Sequence, residues 1–402
     1  MDLKLKVIAR TFETETKLND DDLYVLGGKM AGICYMPEDY FDSKIQDEDK
    51  AISKANLTSK SGHHSVFDHG NITFQISGLP KIMAMILNST EQYTTSEKSA
   101  RYTIMKPATQ LEEDIYNKWK EKFEAKISEV YGDKIDTKTI GKLAQENARY
   151  LISVFTPTHM AWTTSYRQVA YVIKWLGVLY EKCSLLDGSF NQQIAEWSLK
   201  LKNALERETG AFNHIVDNKN RQLEFLTLQS FGVGIPDKEI ISDVYQVNYL
   251  ASLAQLAQRQ RHRTLHFEME FNGVDAHQFG VVIPSIIKGT DLEKEWVEDF
   301  QKVAYCYPQG TLVKVCEQGR AIKFFEMCKE RLCGRAQLET MQTQKIIMQK
   351  FIDNRDKLSE RTRIELDKVT HNGELATKCM MEGIECKETC VWGATGAFNR
   401  MI

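Results

Sequence analysis

The chain has 402 residues, of which 42% are hydrophobic and 27% charged, and its formal net charge is −3. This composition is sufficient for a large core and a soluble surface, and the charge provides no overall basic field for nucleic acid. No apolar run reaches the roughly 18 residues that a membrane helix needs, and the first residues lack the apolar core of a signal peptide. We therefore expect a cytoplasmic protein that binds neither nucleic acid nor membranes.

Hydrophobic periodicity predicts strands and helices along most of the chain. Ile72, Phe74 and Ile76 alternate with polar residues, which indicates a strand. In chain order, the predicted elements are a strand at 1–10, a helix at 18–34, the strand at 71–77, helices at 111–130, 139–154, 166–180 and 194–205, a strand at 278–283, a helix at 294–303 and a charged helix at 353–367. Strands that open and close helical arrays predict an α/β fold.

The nine cysteines are an odd number at irregular spacings, which favours reduced thiols over a disulfide framework. Cys379, Cys386 and Cys390 cluster near the end of the sequence, but neither a Cys-x-x-Cys pair nor a fourth ligand accompanies them. We therefore expect no bound metal. We interpret this region as a loosely packed structural tail.

Two parts of the sequence resemble each other, which indicates an internal duplication. In the first copy, an apolar helical pattern that opens with Pro80 runs into Ser89-Thr90-Glu91 and then into Ser99-Ala100-Arg101-Tyr102. In the second copy, a similar pattern around Leu253 runs into Arg261-His262-Arg263. The predicted organisation is a first unit at 1–215, a shorter second unit at 216–355, and a charged helix with a cysteine-containing tail at 356–402.

These segments resemble the motif of the flavin-dependent thymidylate synthases, in which Arg-His-Arg is followed at fixed spacing by two serines and an Arg-Tyr pair. Neither copy holds the whole motif. The first copy has Ser99 and Arg101-Tyr102 but carries Ser89-Thr90-Glu91 in the Arg-His-Arg slot. The second copy has Arg-His-Arg but carries His266 and Phe271 where the serines belong. Because the losses are reciprocal, they favour one maintained composite site over random decay.

Further segments match the same family in the expected order. Residues 62–74 are similar to its Gly-His-x-Ser-x-x-Glu-His element and the strand that follows. Glu146 and Arg149 are similar to its acid-x-x-Arg step, and the segment from Arg331 to Gln337 is similar to its late arginine segment. The resemblance implies two tandem α/β units, like those of the thymidylate-synthase-complementing proteins, packed as an intrachain pseudo-dimer.

The resemblance also implies a function, namely reductive C5-methylation of dUMP or a similar pyrimidine nucleotide. It implies methylenetetrahydrofolate as carbon donor, FAD as hydride carrier, NADPH as reductant, and a homodimer of this two-unit chain. The implied substrate-binding residues are Glu97, Ser99, Arg101, Arg149, Gln258, Arg261 and Arg331. The implied cofactor-binding residues are His63, Ser65, Asp68, Ser96, Glu97, Arg261, His262, Arg263 and Arg320. The implied catalytic residues are Arg331 and Ser99.

The chemistry of these residue types is compatible with the implied roles. Arginine forks match phosphate bidentately. Ser99 and Arg101 lie two residues apart, which on an extended segment places both side chains on one side, together with Glu97. Nothing in the sequence suggests a base that would make Ser99 a nucleophile, so its hydroxyl is expected to contact a phosphate. According to the resemblance, Arg331 lies at the pyrimidine, where a cation stabilises the anionic ring.

Several alternatives stay open on the sequence alone. The basic triplet at 261–263 is also compatible with a solvated patch, and Arg331 with an exposed ion pair to Glu330 or Glu339. His266 and Glu268 stand where the family has Ser and Asn, which allows another pyrimidine nucleotide or another C5 substituent. A third alternative is a non-catalytic nucleotide- or flavin-binding protein. The sequence has no Gly-x-Gly-x-x-Gly fingerprint, so any cofactor binding is not Rossmann-type.

Overall fold

The computed structural model describes residues 2–11, 20–33, 47–89, 92–101, 103, 105–210, 235–270, 278–386 and 390–402. Four residues of the sequence motif lie outside the described residues, namely Thr90, Glu91, Tyr102 and Phe271. The chain divides into two compact units. The N-terminal unit consists of Met1–Lys98 and Pro157–Leu226, and the C-terminal unit consists of Ser99–Thr156 and Thr227–Ile402.

Helices and strands are mixed along the described chain. The helices are α1 (Asp20–Ile33), α2 (Glu48–Lys60), α3 (Lys81–Leu87), α4 (Gln110–Tyr131), α5 (Thr137–Ala148), α6 (Tyr166–Ser184), α7 (Ser189–Thr209), α8 (Leu253–Arg259), α9 (Asp291–Val303), α10 (Ala321–Arg331), α11 (Leu338–Asp353), α12 (Glu360–Asp367) and α13 (Gly393–Asn399). The strands are β1 (Lys4–Arg10), β2 (Asn71–Pro80), β3 (Tyr93–Glu97), β4 (Pro157–Ser165), β5 (Val244–Ser252), β6 (His266–Glu270), β7 (Leu312–Arg320), β8 (Thr370–His371) and β9 (Glu374–Leu375). The predicted α/β fold class is confirmed.

The N-terminal unit is built on an antiparallel sheet with the strand order β1-β2-β4-β3. Ile72, Phe74 and Ile76 of β2 are fully buried, as their alternation predicted. Phe74 stacks on Trp162 of β4 with the ring centroids 5.6 Å apart. Pro80 is the last residue of β2, so the proline precedes α3 instead of opening it.

The C-terminal unit contains a second antiparallel sheet with the strand order β5-β7-β6. This order matches the β2-β4-β3 part of the N-terminal sheet. A seven-residue helix directly follows β2 in one sheet (α3) and β5 in the other (α8). The shared connectivity supports the predicted duplication, while the packing of the copies as a pseudo-dimer stays a prediction. The predicted strand at 278–283 is wrong, because only Val281 bridges to Thr311 before Pro284.

The core of the C-terminal unit combines segments from both sequence copies. Trp119 of α4 packs edge-on against Trp296 of α9 at 4.9 Å, and its indole N–H donates to Asp299 at 2.9 Å. Helices α4 and α5 therefore belong to the C-terminal unit, although they come before β4 in the sequence. The predicted boundaries at 215 and 355 refer to the duplicated sequence, and they stay a prediction.

The last part of the chain is packed into the C-terminal unit. Val369 and Ala376 are fully buried, and Ala397 is 1% exposed. These apolar side chains anchor the segments on either side of the three cysteines. Cys379 and Cys386 are exposed, so the loosely packed tail at the cysteines stays a prediction. None of the helices in the described ranges is long and apolar enough to cross a bilayer.

Candidate active site

The loop between α10 and α11, residues 332–337, receives arginine side chains from three distant parts of the C-terminal unit. The contacts are Arg101 Nη2 to the Arg335 carbonyl at 2.7 Å, Arg400 Nη2 to the Ala336 carbonyl at 2.5 Å, and Arg149 Nη2 to Gln337 Oε1 at 2.6 Å. Arg331 ends α10 immediately before this loop. We call these four residues, Arg101, Arg149, Arg331 and Arg400, the arginine cluster.

Burial and like charges lower the pKa values of arginines in the cluster. Burial, followed by neighbouring charges that include Arg101, lowers the pKa of Arg331 and of Arg400 to about 10 each. Burial also lowers the pKa of Arg149, and the charge of Arg101 contributes to that shift. Arg331 and Arg400 stay protonated at neutral pH, because their pKa values remain well above it.

The cluster carries more positive charge than its carboxylate contacts neutralise. Arg101 forms an ion pair with Glu146 through its Nε. Arg149 and Arg331 form no ion pair with any carboxylate within the described ranges. Cations that are removed from water without a counter-charge are unfavourable, and a bound anion would relieve this. The site is thus suited to a phosphate or another anionic ligand.

Arg331 is oriented by the basic triplet of the second copy. Its Nε donates to Nε2 of His262 at 3.0 Å, and its Nη2 lies 3.5 Å from the Gln258 carbonyl. An imidazole nitrogen can accept this hydrogen bond only when it carries no proton, so His262 is neutral. Burial, together with the charges of Arg331 and Arg259, lowers its pKa to about 3. The alternative of an exposed ion pair for Arg331 is wrong, since the residue meets His262 instead.

The triplet itself lies in a turn that begins where α8 ends. The His262 amide donates to the Arg259 carbonyl at 3.0 Å. Arg261 is partly exposed and Arg263 exposed, while Gln258 accepts a hydrogen bond from Thr340 at 2.9 Å. A turn can present side chains of adjacent residues to one ligand, which a continuing helix could not. Arg320, at the end of β7, is also exposed.

The segment around Ser99 is a turn, and the extended conformation that we expected is wrong. The amide and the hydroxyl of Thr103 both donate to the Ser99 carbonyl, at 3.0 and 2.7 Å. The Arg101 amide donates to the Ser99 hydroxyl at 3.3 Å. These local hydrogen bonds curl the chain, so spacing by two does not align the side chains here. The predicted contact of the Ser99 hydroxyl with a phosphate stays a prediction.

The remaining candidates lie in the N-terminal unit. The carboxylate of Asp68 accepts from Arg167 Nε at 3.0 Å and from the Ser165 hydroxyl at 2.6 Å, which ties a 3₁₀ turn to the start of α6. Glu97 forms an ion pair with Lys81 at 2.6 Å. Both carboxylates are therefore already paired with a cationic side chain of the same unit. The other predicted positions of this unit, His63, Ser65 and Ser96, are exposed.

A buried charge pair beneath the triplet was missed by the sequence reasoning. Arg259 and Glu317 are both 0% exposed and form an ion pair at 2.5 Å. Glu317 also accepts from the hydroxyls of Tyr245 and Tyr249, each at 2.7 Å. The sequence signal for Glu317 was the alternation of β7, because Glu317 follows the inward-facing Val313 and Val315 at a spacing of two residues. The pair fixes the end of α8 and hence the start of the triplet.

The donor set of the C-terminal unit fits one part of FAD. Arg261, Arg263 and Arg320 supply guanidinium groups that are at least partly exposed, and such groups suit a pyrophosphate. His262 adds a neutral imidazole, whose Nε2 is engaged by Arg331. Among the described residues, no group of three or more His, Cys, Asp or Glu side chains could hold a metal ion.

The fold and the site together describe an α/β protein with a cluster of arginine side chains around the loop at 332–337. Residues 22–176 match the model of the family described as thymidylate synthase complementing protein. This match confirms the resemblance over that segment, which includes Arg101 and Arg149 but ends before the basic triplet.

Two solved structures show a distant similarity to this chain. One is a UMP/dUMP methylase, PolB, from Streptomyces cacaoi bound with 5-Br dUMP, at 17% identity and a TM-score of 0.32, covering 52% of this chain and 94% of that one. The other is thymidylate synthase X from Helicobacter pylori with FAD and dUMP, at 15% identity and a TM-score of 0.30, covering 53% and 97%. A comparison with curated proteins found no match.

Proposed function

We propose that this protein is a flavin-dependent thymidylate synthase that methylates dUMP at C5. In this proposal methylenetetrahydrofolate donates the carbon and NADPH is the reductant, at a site composed of residues from both sequence copies. The observation that carries the proposal is the arginine cluster. Arg101 and Arg149 come from the first copy and Arg331 from the second, and their charge exceeds that of the carboxylates they contact.

The cluster supports two tasks that this reaction needs. A nucleoside monophosphate supplies a dianion, and Arg101 and Arg149 are suited to bind it through charged hydrogen bonds. Arg331 would contact the pyrimidine and stabilise the negative charge that makes C5 nucleophilic. With a pKa of about 10, it keeps its own charge at neutral pH. Neutral His262 orients it without competing for the negative charge of the substrate.

We assign FAD to the part of the site that contains the basic triplet Arg261-His262-Arg263. When bound, reduced FAD would supply the hydride that converts the transferred one-carbon unit into a methyl group. Within the chain, the proposed cofactor-binding residues are His63, Ser65, Asp68, Ser96, Glu97, Arg261, His262, Arg263 and Arg320. Their proposed roles are to hold the pyrophosphate and to orient the ring. Because the sequence carries two copies of a unit whose family forms shared sites, we propose a homodimer.

A related activity on another pyrimidine nucleotide is the second candidate. It is favoured by His266 and Glu268, which stand where the family has Ser and Asn. Glu268 accepts a hydrogen bond from Gln318 at 3.3 Å, so its carboxylate is held on β6. The two candidates differ in the nucleotide that binds and in the product that forms.

The test combines binding, colour and product. Purified protein should be yellow, should bind dUMP in calorimetry, and should oxidise reduced flavin when dUMP and methylenetetrahydrofolate are present, with dTMP as product. Arg149→Gln should weaken dUMP binding by roughly 1.5–3 kcal/mol, the value for a lost charged hydrogen bond. The exposed Arg361 provides the matched control Arg361→Gln, which should bind dUMP like the wild type.

Each outcome decides between the candidates. Turnover with UMP and not with dUMP would favour the second candidate. Binding of dUMP without turnover would identify a non-catalytic protein. A colourless protein with no affinity for either nucleotide would refute the enzymatic proposal.

A further inference from the structure

The buried pair of Arg259 and Glu317 has more contacts than an ion pair alone needs. Nε of Arg259 donates to the Tyr249 hydroxyl at 3.0 Å and to Glu317 at 3.1 Å, and its Nη1 donates to the Gln344 side chain at 2.7 Å. The guanidinium also lies over the Tyr249 ring, 5.3 Å from its centroid. Arg259, the last residue of α8, is thereby tied to β5, β7 and α11.

Stability alone does not explain why this position holds two charges. A buried ion pair is often no more stable than well-packed apolar side chains of similar volume. The N-terminal unit uses the apolar solution, with Leu87 at the position equivalent to Arg259 and Trp162 at that of Glu317. Both of these apolar side chains are fully buried. The N-terminal copy also lacks the basic triplet, so the buried charges occur in the copy that carries it.

The two groups that orient Arg331 are attached to the backbone of Arg259. Gln258, whose carbonyl lies 3.5 Å from Arg331 Nη2, directly precedes Arg259. His262, whose Nε2 accepts from Arg331 Nε at 3.0 Å, donates its amide to the Arg259 carbonyl at 3.0 Å. Burial, followed by the charges of Arg331 and Arg259, lowers the pKa of His262, which keeps its ring nitrogen free to accept.

We infer that Arg259 and Glu317 are positioning residues for Arg331. The inference rests on the proposed function, in which Arg331 stabilises the negative charge of the pyrimidine. The pair holds the end of α8 in one place, so the Gln258 carbonyl and the His262 imidazole direct the Arg331 guanidinium. Precise placement matters, because a displacement of about 1 Å in an active site reduces the rate by up to about a hundredfold. Two leucines in place of the pair would fill the same space without fixing the end of the helix.

The first measurement follows Arg331 directly and needs no activity. In NMR spectra of the nitrogen-labelled full-length protein, the Nε–H signal of Arg331 is assigned by its absence in Arg331→Lys. This signal should be sharp in the wild type, because the group donates to His262. In Arg259→Leu/Glu317→Leu it should be broadened by exchange with water, since the released side chain loses that acceptor.

The second measurement separates kcat from KM. With dUMP, methylenetetrahydrofolate and reduced flavin, Arg259→Leu/Glu317→Leu should lose about tenfold to a hundredfold in kcat. The KM for dUMP should change by less than about threefold, because an interaction that acts mainly in the transition state affects kcat more than ground-state binding.

Two further variants separate positioning from stability. Asp299 is 1% exposed in the same unit and accepts from the Trp119 indole at 2.9 Å. Asp299→Asn should lower the free energy of unfolding but keep the wild-type kcat and the sharp Arg331 signal. Arg259→Lys keeps a charge opposite Glu317 but not the planar fork, so its kcat should lie between those of the wild type and the double variant.

An unchanged Arg331 signal in the double leucine variant would overturn the inference, whatever the activity of that variant. An equal loss of kcat in Asp299→Asn would also overturn it, because the effect would then follow from stability alone. If the double variant does not fold, Arg259→Lys decides, and a wild-type signal with wild-type kcat in that variant would overturn the inference. An inactive wild-type protein would instead refute the proposed function, and the Arg331 signal would still test the positioning.

Discussion

Removing the negative charge from the buried Arg259–Glu317 pair should strongly destabilise the C-terminal unit. Glu317→Gln keeps the size of the side chain but leaves Arg259 as a cation that is 0% exposed and has lost its carboxylate. The Gln344 side chain, which accepts from Arg259 Nη1 at 2.7 Å, provides only a neutral partner. Breaking a buried pair on one side costs about 3–5 kcal/mol, a large part of the roughly 5–15 kcal/mol that stabilises a typical fold.

The N-terminal unit suggests a double variant in which both charges of the pair are replaced by apolar side chains. At the equivalent positions it has Leu87, which ends α3, and Trp162, the sixth residue of β4, so this arrangement needs no charge pair. Arg259→Leu/Glu317→Leu should therefore be less destabilised than the sum of the two single leucine variants, by roughly 2 kcal/mol or more. Some cost remains because the hydroxyls of Tyr245 and Tyr249 lose their acceptor.

The assay is urea unfolding followed by circular dichroism, with the free energy of unfolding compared among the variants. The matched control is Glu326→Gln, which breaks an exposed ion pair with Lys323 in the same unit and should change that free energy by less than about 1 kcal/mol. A loss below about 1 kcal/mol in Glu317→Gln, or strict additivity in the double variant, would refute the reasoning.

Three further predictions concern the site and the assembly. Arg331→Ala should remain yellow but lose about two or more decades of turnover, with partial rescue in Arg331→Lys; near-normal turnover would remove Arg331 from the mechanism. The pKa of His262 is about 3 in the folded state, so only the unfolded state takes up a proton on this residue below about pH 6.5. The free energy of unfolding should therefore fall by up to about 2 kcal/mol between pH 7 and pH 5. Thermal unfolding across this range should show that loss in the wild type but not in His262→Gln, and equal pH dependence would contradict the assignment. Light scattering should find a dimer of chains, and a stable monomer or a tetramer of chains would count against it.

The sequence by itself determined local secondary structure, such as the strand β2, and the residue types of the candidate site. The alternation of Ile72, Phe74 and Ile76 predicted a strand, because a strand with one buried face must alternate. The reciprocal motifs predicted that Arg101, Arg149, Arg261 and Arg331 belong to one site. In both cases the information lies within a few consecutive residues or in a motif whose spacing is preserved.

The tertiary structure decided which charges are buried and which residues they meet. Nothing adjacent to Glu317 in the sequence reveals that Arg259 lies opposite it, since that contact depends on how α8 packs on β7. The turn at Ser99 overrode the expected extended segment through hydrogen bonds from Thr103. Arg400 meets the carbonyl of Ala336, 64 residues earlier in the chain, only because the C-terminal segment folds back. Burial of charge is a property of long-range packing, so the residues that complete the arginine cluster emerge only in three dimensions.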